Sequence, residues 1–150
     1  MPHSYTALYT HVVFSTKNRT PQIDPALEER LYPYLRSIVR ELNGEVLVVN
    51  GVEDHLHILT STPPMVSIAE MVRKVKGCSS KWVHETFPER ATFEWQRGYS
   101  AFSVSQSALP VVTRYVERQK VHHAKTSFRD EFVRLLDRHG IARDERFLWT

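Results

Sequence analysis

The chain has 150 residues, 41% hydrophobic and 25% charged, a globular balance with room for a single core and too little chain for two domains. It holds no apolar run near the roughly 18 residues that a membrane span needs, and Met1 to Tyr9 lacks the pattern of a secretory signal. Its only cysteine, Cys78, excludes an intrachain disulfide and a cysteine-based zinc site, so a reducing cytoplasm is the expected location.

The elements follow in chain order. Thr6 to Ser15, rich in β-branched and aromatic residues, predicts a strand. Asp24-Pro25 predicts a helix start, with Leu27, Leu31, Leu35, Ile38 and Leu42 at helical spacing and Asn43-Gly44 as the stop. Pro33 should kink that helix or delay it. Glu45 to Val49 and His55 to Ser61 predict an antiparallel hairpin around the loop Asn50 to Asp54. Ser67 and Glu70 form a capping box for a helix with a stripe of Ile68, Met71, Val72, Val75, Trp82 and Val83. Phe93 to Trp95 and Tyr99 to Val104 read as strands. Ser107 then caps a helix running to about Val121, and the Ser127/Asp130 box opens a last helix ending at Gly140.

That order predicts an α+β, ferredoxin-like (RRM-like) antiparallel sheet with helices on one face plus C-terminal helices, in one domain over 1–150. The net charge is +3, and its distribution is uneven. Arg73, Lys74, Lys76 and Lys81 form one basic cluster, and Arg114, Arg118, Lys120, Lys125 and Arg129 form another. Such clusters suit a phosphate backbone, and they also suit an ordinary solvated helix face.

Two motifs carry chemistry. In His55-Leu56-His57, strand alternation sends both imidazoles to one face, preset to chelate an ion. With eight histidines in the chain, about 0.4 such pairs arise by chance, so the pair needs company. Tyr115 and Gln119 stand four apart on a helix, so phenol and amide project side by side. Two imidazoles and an amide oxygen leave open coordination positions, which suits Mg²⁺ or Mn²⁺ polarising a phosphate. A phenol attacking a phosphodiester stores the broken bond as an ester, and an adjacent cation would help it ionise. His122 reads as a solvated helix-end residue, and His11 and His123 as structural. Trp82 reads as core.

The combination of His-hydrophobic-His on a strand and Tyr-x-x-x-Gln on a later helix resembles the single-tyrosine HUH transposases of small bacterial insertion sequences and the REP-associated tyrosine transposases. The resemblance extends through His11 to Arg19, Val52 to Leu59, Lys76 to Trp82, Phe93 to Tyr99, Ala101 to Ser105 and Phe128 to Glu131. It continues in His139-Gly140-Ile141 and Asp144-Glu145-Arg146-Phe147-Leu148-Trp149. It implies that Tyr115 is the nucleophile on single-stranded DNA, leaving a 5′-phosphotyrosine and a free 3′-hydroxyl. It further implies metal ligation by His55, His57 and Gln119, recognition of hairpin ends, and a homodimer. The tyrosine helix could then act on the partner subunit through the Ser105-Gln106-Ser107 link. Lys17, Arg19, Arg73, Lys76 and Arg114 are the candidate phosphate contacts.

Other readings remain at this stage. A related HUH nickase or replication initiator would share the motifs but should carry a helicase-like extension. A non-catalytic single-strand binder gives no reason for the two motifs together. A metal-dependent hydrolase would need acids beside the histidines, and none is visible in the motif.

Overall fold

A four-stranded antiparallel sheet in the order β2-β3-β1-β4 organises the computed structural model, which describes residues 4–144 and 146. The strands are β1 (Tyr9–Ser15), β2 (Glu45–Val52), β3 (His55–Ser61) and β4 (Ser100–Val104). This is the ferredoxin-like order. Helices α1 (Pro25–Glu41) and α2 (Ile68–Thr86) make the crossovers, and α3 (Leu109–Glu117), α4 (Gln119–His122) and α5 (Phe128–Arg138) follow the last strand.

Alternation along the two central strands divides the molecule into layers. Val12, Phe14, Leu56 and Ile58 point into the main core with Leu27, Leu31 and Leu35 of α1 and Met71, Val72 and Val75 of α2. Val13 and Phe102 instead meet Phe128, Phe132, Leu135 and Leu136 of α5. Val48 and Leu59 meet Val116 of α3. A register shift between Val46 and Val48 lets Val46 face the main core while Val48 faces α3.

Several local expectations meet a different outcome. Pro33 lies inside α1 and does not delay it: the helix starts at Pro25 behind the Asp24 carboxylate that accepts from Leu27 N at 2.9 Å. A proline inside a helix costs about 3 kcal/mol. Leu27, Leu31 and Leu35 are each fully buried, and each such burial is worth about 1.5–3 kcal/mol, so the stripe prevails. Strand β2 runs three residues further than expected, leaving only Glu53-Asp54 as the turn. Gly51 permits this, because a Cβ there would lie 2.1 Å from the His55 carbonyl oxygen.

Phe93 to Trp95 forms no strand beyond one bridge between Thr16 and Trp95. Its rings close the end of the main core instead, with Trp95 Nε1 donating to Ser79 Oγ at 2.9 Å. Ser107 makes no side-chain cap; a 3-10 turn over Gln106–Ala108 leads into α3, and the expected single helix breaks at Arg118. The Ser67 and Ser127 caps form as expected, accepting from Glu70 N and Asp130 N. In the C-terminal motif, Glu145 and Phe147 to Trp149 lie outside the described residues. No helix among the described residues is long and apolar enough to cross a membrane.

Leu56 is completely buried between the two histidines of β3. Leu56→Ala should destabilise the protein by about 2–5 kcal/mol, read as a lowered urea midpoint with an unchanged slope.

Candidate functional site

The histidine pair sits where β3 is covered on both faces. His55 and His57 are fully buried, on the face covered by the C-terminal helices, and opposite Ser15 and Val13 of β1. The turn before them is fixed from outside, since Thr16 N donates to the Asp54 carbonyl and Gln22 N and Ile23 N donate to the Glu53 carbonyl.

Buried imidazoles need partners. Each ring nitrogen of the pair has one. His55 Nδ1 lies 2.7 Å from Asp54 Oδ1, and His57 Nδ1 lies 2.8 Å from His11 Nε2. On the other side, Glu131 Oε1 stands 2.9 Å from His57 Nε2, 2.9 Å from His123 Nε2 and 3.3 Å from His55 Nε2. His123 Nδ1 donates to the Thr126 carbonyl at 2.6 Å. Glu131 Oε2 accepts from the Tyr115 hydroxyl and, at 3.0 Å, from Gln119 Nε2.

Tyr115 therefore reaches the histidines of its own chain, its ring centroid 5.7 Å from that of His57. Gln119 is fully buried, beyond the helix break, with its Nε2 3.5 Å from the Tyr115 carbonyl. Its Oε1 is buried with no hydrogen-bond partner. The break itself is pinned by Asn50, whose Nδ2 donates to the carbonyls of Val116 and Glu117, each at 3.0 Å. Lys120 Nζ ties the following turn to Glu28, Asn50 Oδ1 and the Gly51 carbonyl.

The electrostatics follow from these contacts. Burial pulls the His57 pKa down to about 4, and burial with the neighbouring His57 takes His11 to about 3. Burial also opposes a charge on His55, but Asp54 and Glu131 outweigh it and raise that pKa. Glu131 is held well below the ordinary carboxylate range because hydrogen bonds from His123, His55 and His57 overcome its burial. Burial and the Glu131 charge push the Tyr115 phenol up.

From the sequence His11 and His123 read as structural, His122 as a solvated helix-end residue, and no acid is visible beside the histidines. The structure brings His11, His122 and His123 into one cluster with the pair and adds acids to it. His123 and His11 contact the pair directly, Asp54 and Glu131 supply two acids, and His122 Nε2 stands 3.4 Å from Glu131 Oε2. Of the basic candidates, Arg114 lines a cavity of about 410 Å³ with Tyr115, Arg118 and Lys125. Arg19 lines another of about 680 Å³ beside His123 and Asp54. Lys17 pairs with Glu94 at 3.3 Å. Arg73 is exposed on α2, in the layer across the sheet from Tyr115. Lys76 directs its amino group to the carbonyls of Gln96, Arg97 and Gly98, which occupies its three donors and makes it a tie for that loop.

Sheet order, histidine pair and facing tyrosine together define a class, the single-tyrosine HUH proteins. Within it the chain belongs to the IS200-like transposase family: the family described as "Transposase IS200 like" matches residues 4–119. The chain is 25% identical over 114 residues to the ISDra2 transposase TnpA of Deinococcus radiodurans, covering 73% of this chain and 81% of that protein. It is 26% identical over 114 residues to the transposase for insertion sequence element IS200 of Salmonella typhimurium, covering 73% and 74%. In fold it is similar to a Deinococcus radiodurans crystal structure described as a transposase, with a TM-score of 0.65 at 22% identity over 79% of this chain and 96% of that one. It is also similar in fold to a REP-associated tyrosine transposase bound to a REP hairpin, with a TM-score of 0.62 at 14% identity over 84% and 76%. The family match ends at Gln119, so His123 and Glu131 lie beyond it.

Asn50→Ala would strip two carbonyls at the helix break of their donor. It should cost about 1 kcal/mol and speed amide hydrogen exchange in residues 116–122 relative to the rest of the protein.

Proposed function

We propose that this transposase cleaves and rejoins single-stranded DNA through a 5′-phosphotyrosine intermediate formed on Tyr115, with a divalent metal, Mg²⁺ or Mn²⁺, at the histidine pair. The observation that carries this reading is the Glu131 carboxylate, on which the Tyr115 hydroxyl and the His55 and His57 imidazoles converge within one chain.

In the reaction, Tyr115 Oη attacks the scissile phosphorus as its phenolic proton is lost. The P–O3′ bond breaks, the departing oxygen takes a proton, and the DNA end remains as a 5′-phosphotyrosine. A 3′-hydroxyl from another end later attacks that ester and regenerates Tyr115. Each step exchanges one phosphoester for another, so no ATP is needed.

The residues present fit a metal. His55 and His57 would hold it, and the buried, unpaired Gln119 Oε1 offers an oxygen donor. When bound, the ion supplies charge stabilisation at the phosphate and the phenolate oxygen. The chain's own residues hold the nucleophile in place: Glu131 accepts from its hydroxyl, and Asn50 anchors the end of its helix.

DNA is supported by the hairpin-bound relative in fold and by the basic residues around Tyr115. Arg114 and Arg19 are the best-placed phosphate contacts, with Lys17 and Arg73 further out. A third cavity of about 470 Å³ between β4, α3 and α5, bordered by Tyr115, Arg134 and Arg138, gives the strand a path past the hydroxyl. Assembly within one chain supports action in cis. A homodimer that exchanges α3 would rearrange these contacts through the Ser105–Ser107 link.

Wild-type protein incubated with single-stranded, hairpin-bearing element-end DNA and metal should give a covalent adduct on a denaturing gel. Tyr115→Phe should bind the same DNA and form none, and an adduct in that variant overturns the assignment of the nucleophile. His55→Ala and His57→Ala should each abolish cleavage, and normal cleavage in both removes the metal from the reading.

A further inference from the structure

A phosphodiester lying against the Tyr115 hydroxyl has two arms, and both must leave along the protein surface. Two cavities adjoin at that point, and Val111, Tyr115 and His122 border both. The first, of about 410 Å³, carries Arg114, Arg118 and Lys125. The second, of about 470 Å³, has apolar walls from Phe102, Val112 and Leu135. Its charged side chains come from α5, where Glu131, Arg134 and Arg138 stand three and four residues apart and so share one helix face.

That face divides by charge. Glu131 is the single acid among the described residues that line the cavity. Its Oε1 meets the histidines and its Oε2 accepts from Tyr115 and Gln119, so it has no oxygen to spare for the arginines. The neighbouring Asp137 pairs with Arg143. Arg134 and Arg138 are exposed, and neither has a hydrogen-bond or ion-pair partner among the described residues. Burial and the Glu131 charge raise the Tyr115 pKa, and the Arg138 charge acts against them, which puts that guanidinium within electrostatic reach of the nucleophile. A cation in the last turn of a helix is favoured by the helix dipole, but that accounts for neither Arg134 nor the cavity beside both.

We propose that Arg134 and Arg138 form a second phosphate ladder, which holds successive phosphates of single-stranded DNA on the opposite side of the scissile one from Arg114. The inference rests on the reading of Tyr115 as the strand-transfer nucleophile, and both arginines lie beyond the family match, which ends at Gln119. Guanidinium forks fit phosphate oxygens in pairs. A rise of about 6 Å between residues four apart lets the two side chains engage neighbouring phosphates rather than one. The sugars and bases of the same arm then face the apolar walls, which neither a free anion nor an acidic side chain would fill. Both arginines are positioning residues: they fix the path of the strand so that its phosphorus stands at the hydroxyl.

The test measures binding of labelled element-end DNA with a single-stranded arm to full-length Tyr115→Phe, which leaves the DNA intact, over a range of salt concentrations. Each phosphate contact on a single strand contributes about −0.7 to the slope of log affinity against log salt. Adding Arg134→Ala and Arg138→Ala together should make the slope shallower by about 1.4, and Arg134→Lys with Arg138→Lys should restore it. A single neutral methylphosphonate moved along the arm should weaken binding at two adjacent linkages on one side of the cleaved one. The double alanine variant should be indifferent to it there. An unchanged slope in that variant, or a methylphosphonate pattern that survives in it, overturns the proposal. The scan on the parent protein needs no arginine variant, and the absence of any sensitive linkage on the single-stranded arm overturns the proposal as well. The adduct assay with wild type keeps the two readings apart. No adduct together with the shallower slope removes the strand-transfer reading and keeps the ladder, whereas an adduct with an unchanged slope does the reverse.

Discussion

Strand β3 is paired on both edges by β2 and β1 and covered on both faces by helices, and one of those faces carries two imidazoles. A buried polar group without a hydrogen bond costs about 1–3 kcal/mol, so two bare histidines at the centre of a sheet would offset much of a small protein's stability. The rest of the site answers that constraint. Asp54 comes from the adjoining turn, His11 from the neighbouring strand, and Glu131 from a helix seventy-four residues away from His57. Each supplies the partner that lets the pair stay buried. The same partners orient the rings and bring the tyrosine to them.

The constraint also explains why the C-terminal helices are interrupted. One straight helix would set Tyr115 and His123 about 12 Å apart along its axis and on faces turned about 80° from one another, too far for one carboxylate to serve as closely. The break at Arg118 changes that geometry. Tyr115 lies in the last turn of one segment, Gln119 begins the next, and His123 caps it, all within reach of Glu131. The carbonyls left at the break do not go unmet, since Asn50 covers two of them from the hairpin that carries the histidines. Strand and helix are thus registered to one another by the same hairpin.

Much of this was legible in the sequence, and the illegible part has a physical pattern. The strands, the Asp24, Ser67 and Ser127 caps, the alternation at His55 and His57 and the pairing of Tyr115 with Gln119 are local features, set by periods of two or of three to four residues. What was missed depends on contacts between distant segments. His123 reads as a helix-end residue until the break turns it inward. His11 is one of several polar residues in β1, beside Thr10 and Ser15. Glu131 alone left a signal: it stands three residues after Phe128 and four before Leu135, inside the buried stripe of α5. A charge on an apolar helix face that stays buried needs a partner of the opposite character, and the histidines are that partner. Phe93 to Trp95 failed in the other direction, because aromatic richness marks burial as well as strand formation.

The two layers also differ in what holds them. The core beneath α1 and α2 is a continuous apolar cluster reaching from Val12 to Trp95. The layer above the histidines is two smaller clusters, one under α5 and one under α3, joined through the polar site. The tyrosine helix buries only Val116 completely, with Leu109, Val112 and Tyr115 partly covered. Lifting it away would expose little apolar surface and would break a few hydrogen bonds, whereas lifting α1 would open the main core. Local opening is favoured where buried apolar contacts are fewest. The helix that carries Tyr115 is therefore easier for the fold to release than α1, while the strand that carries the histidines is covered on both faces.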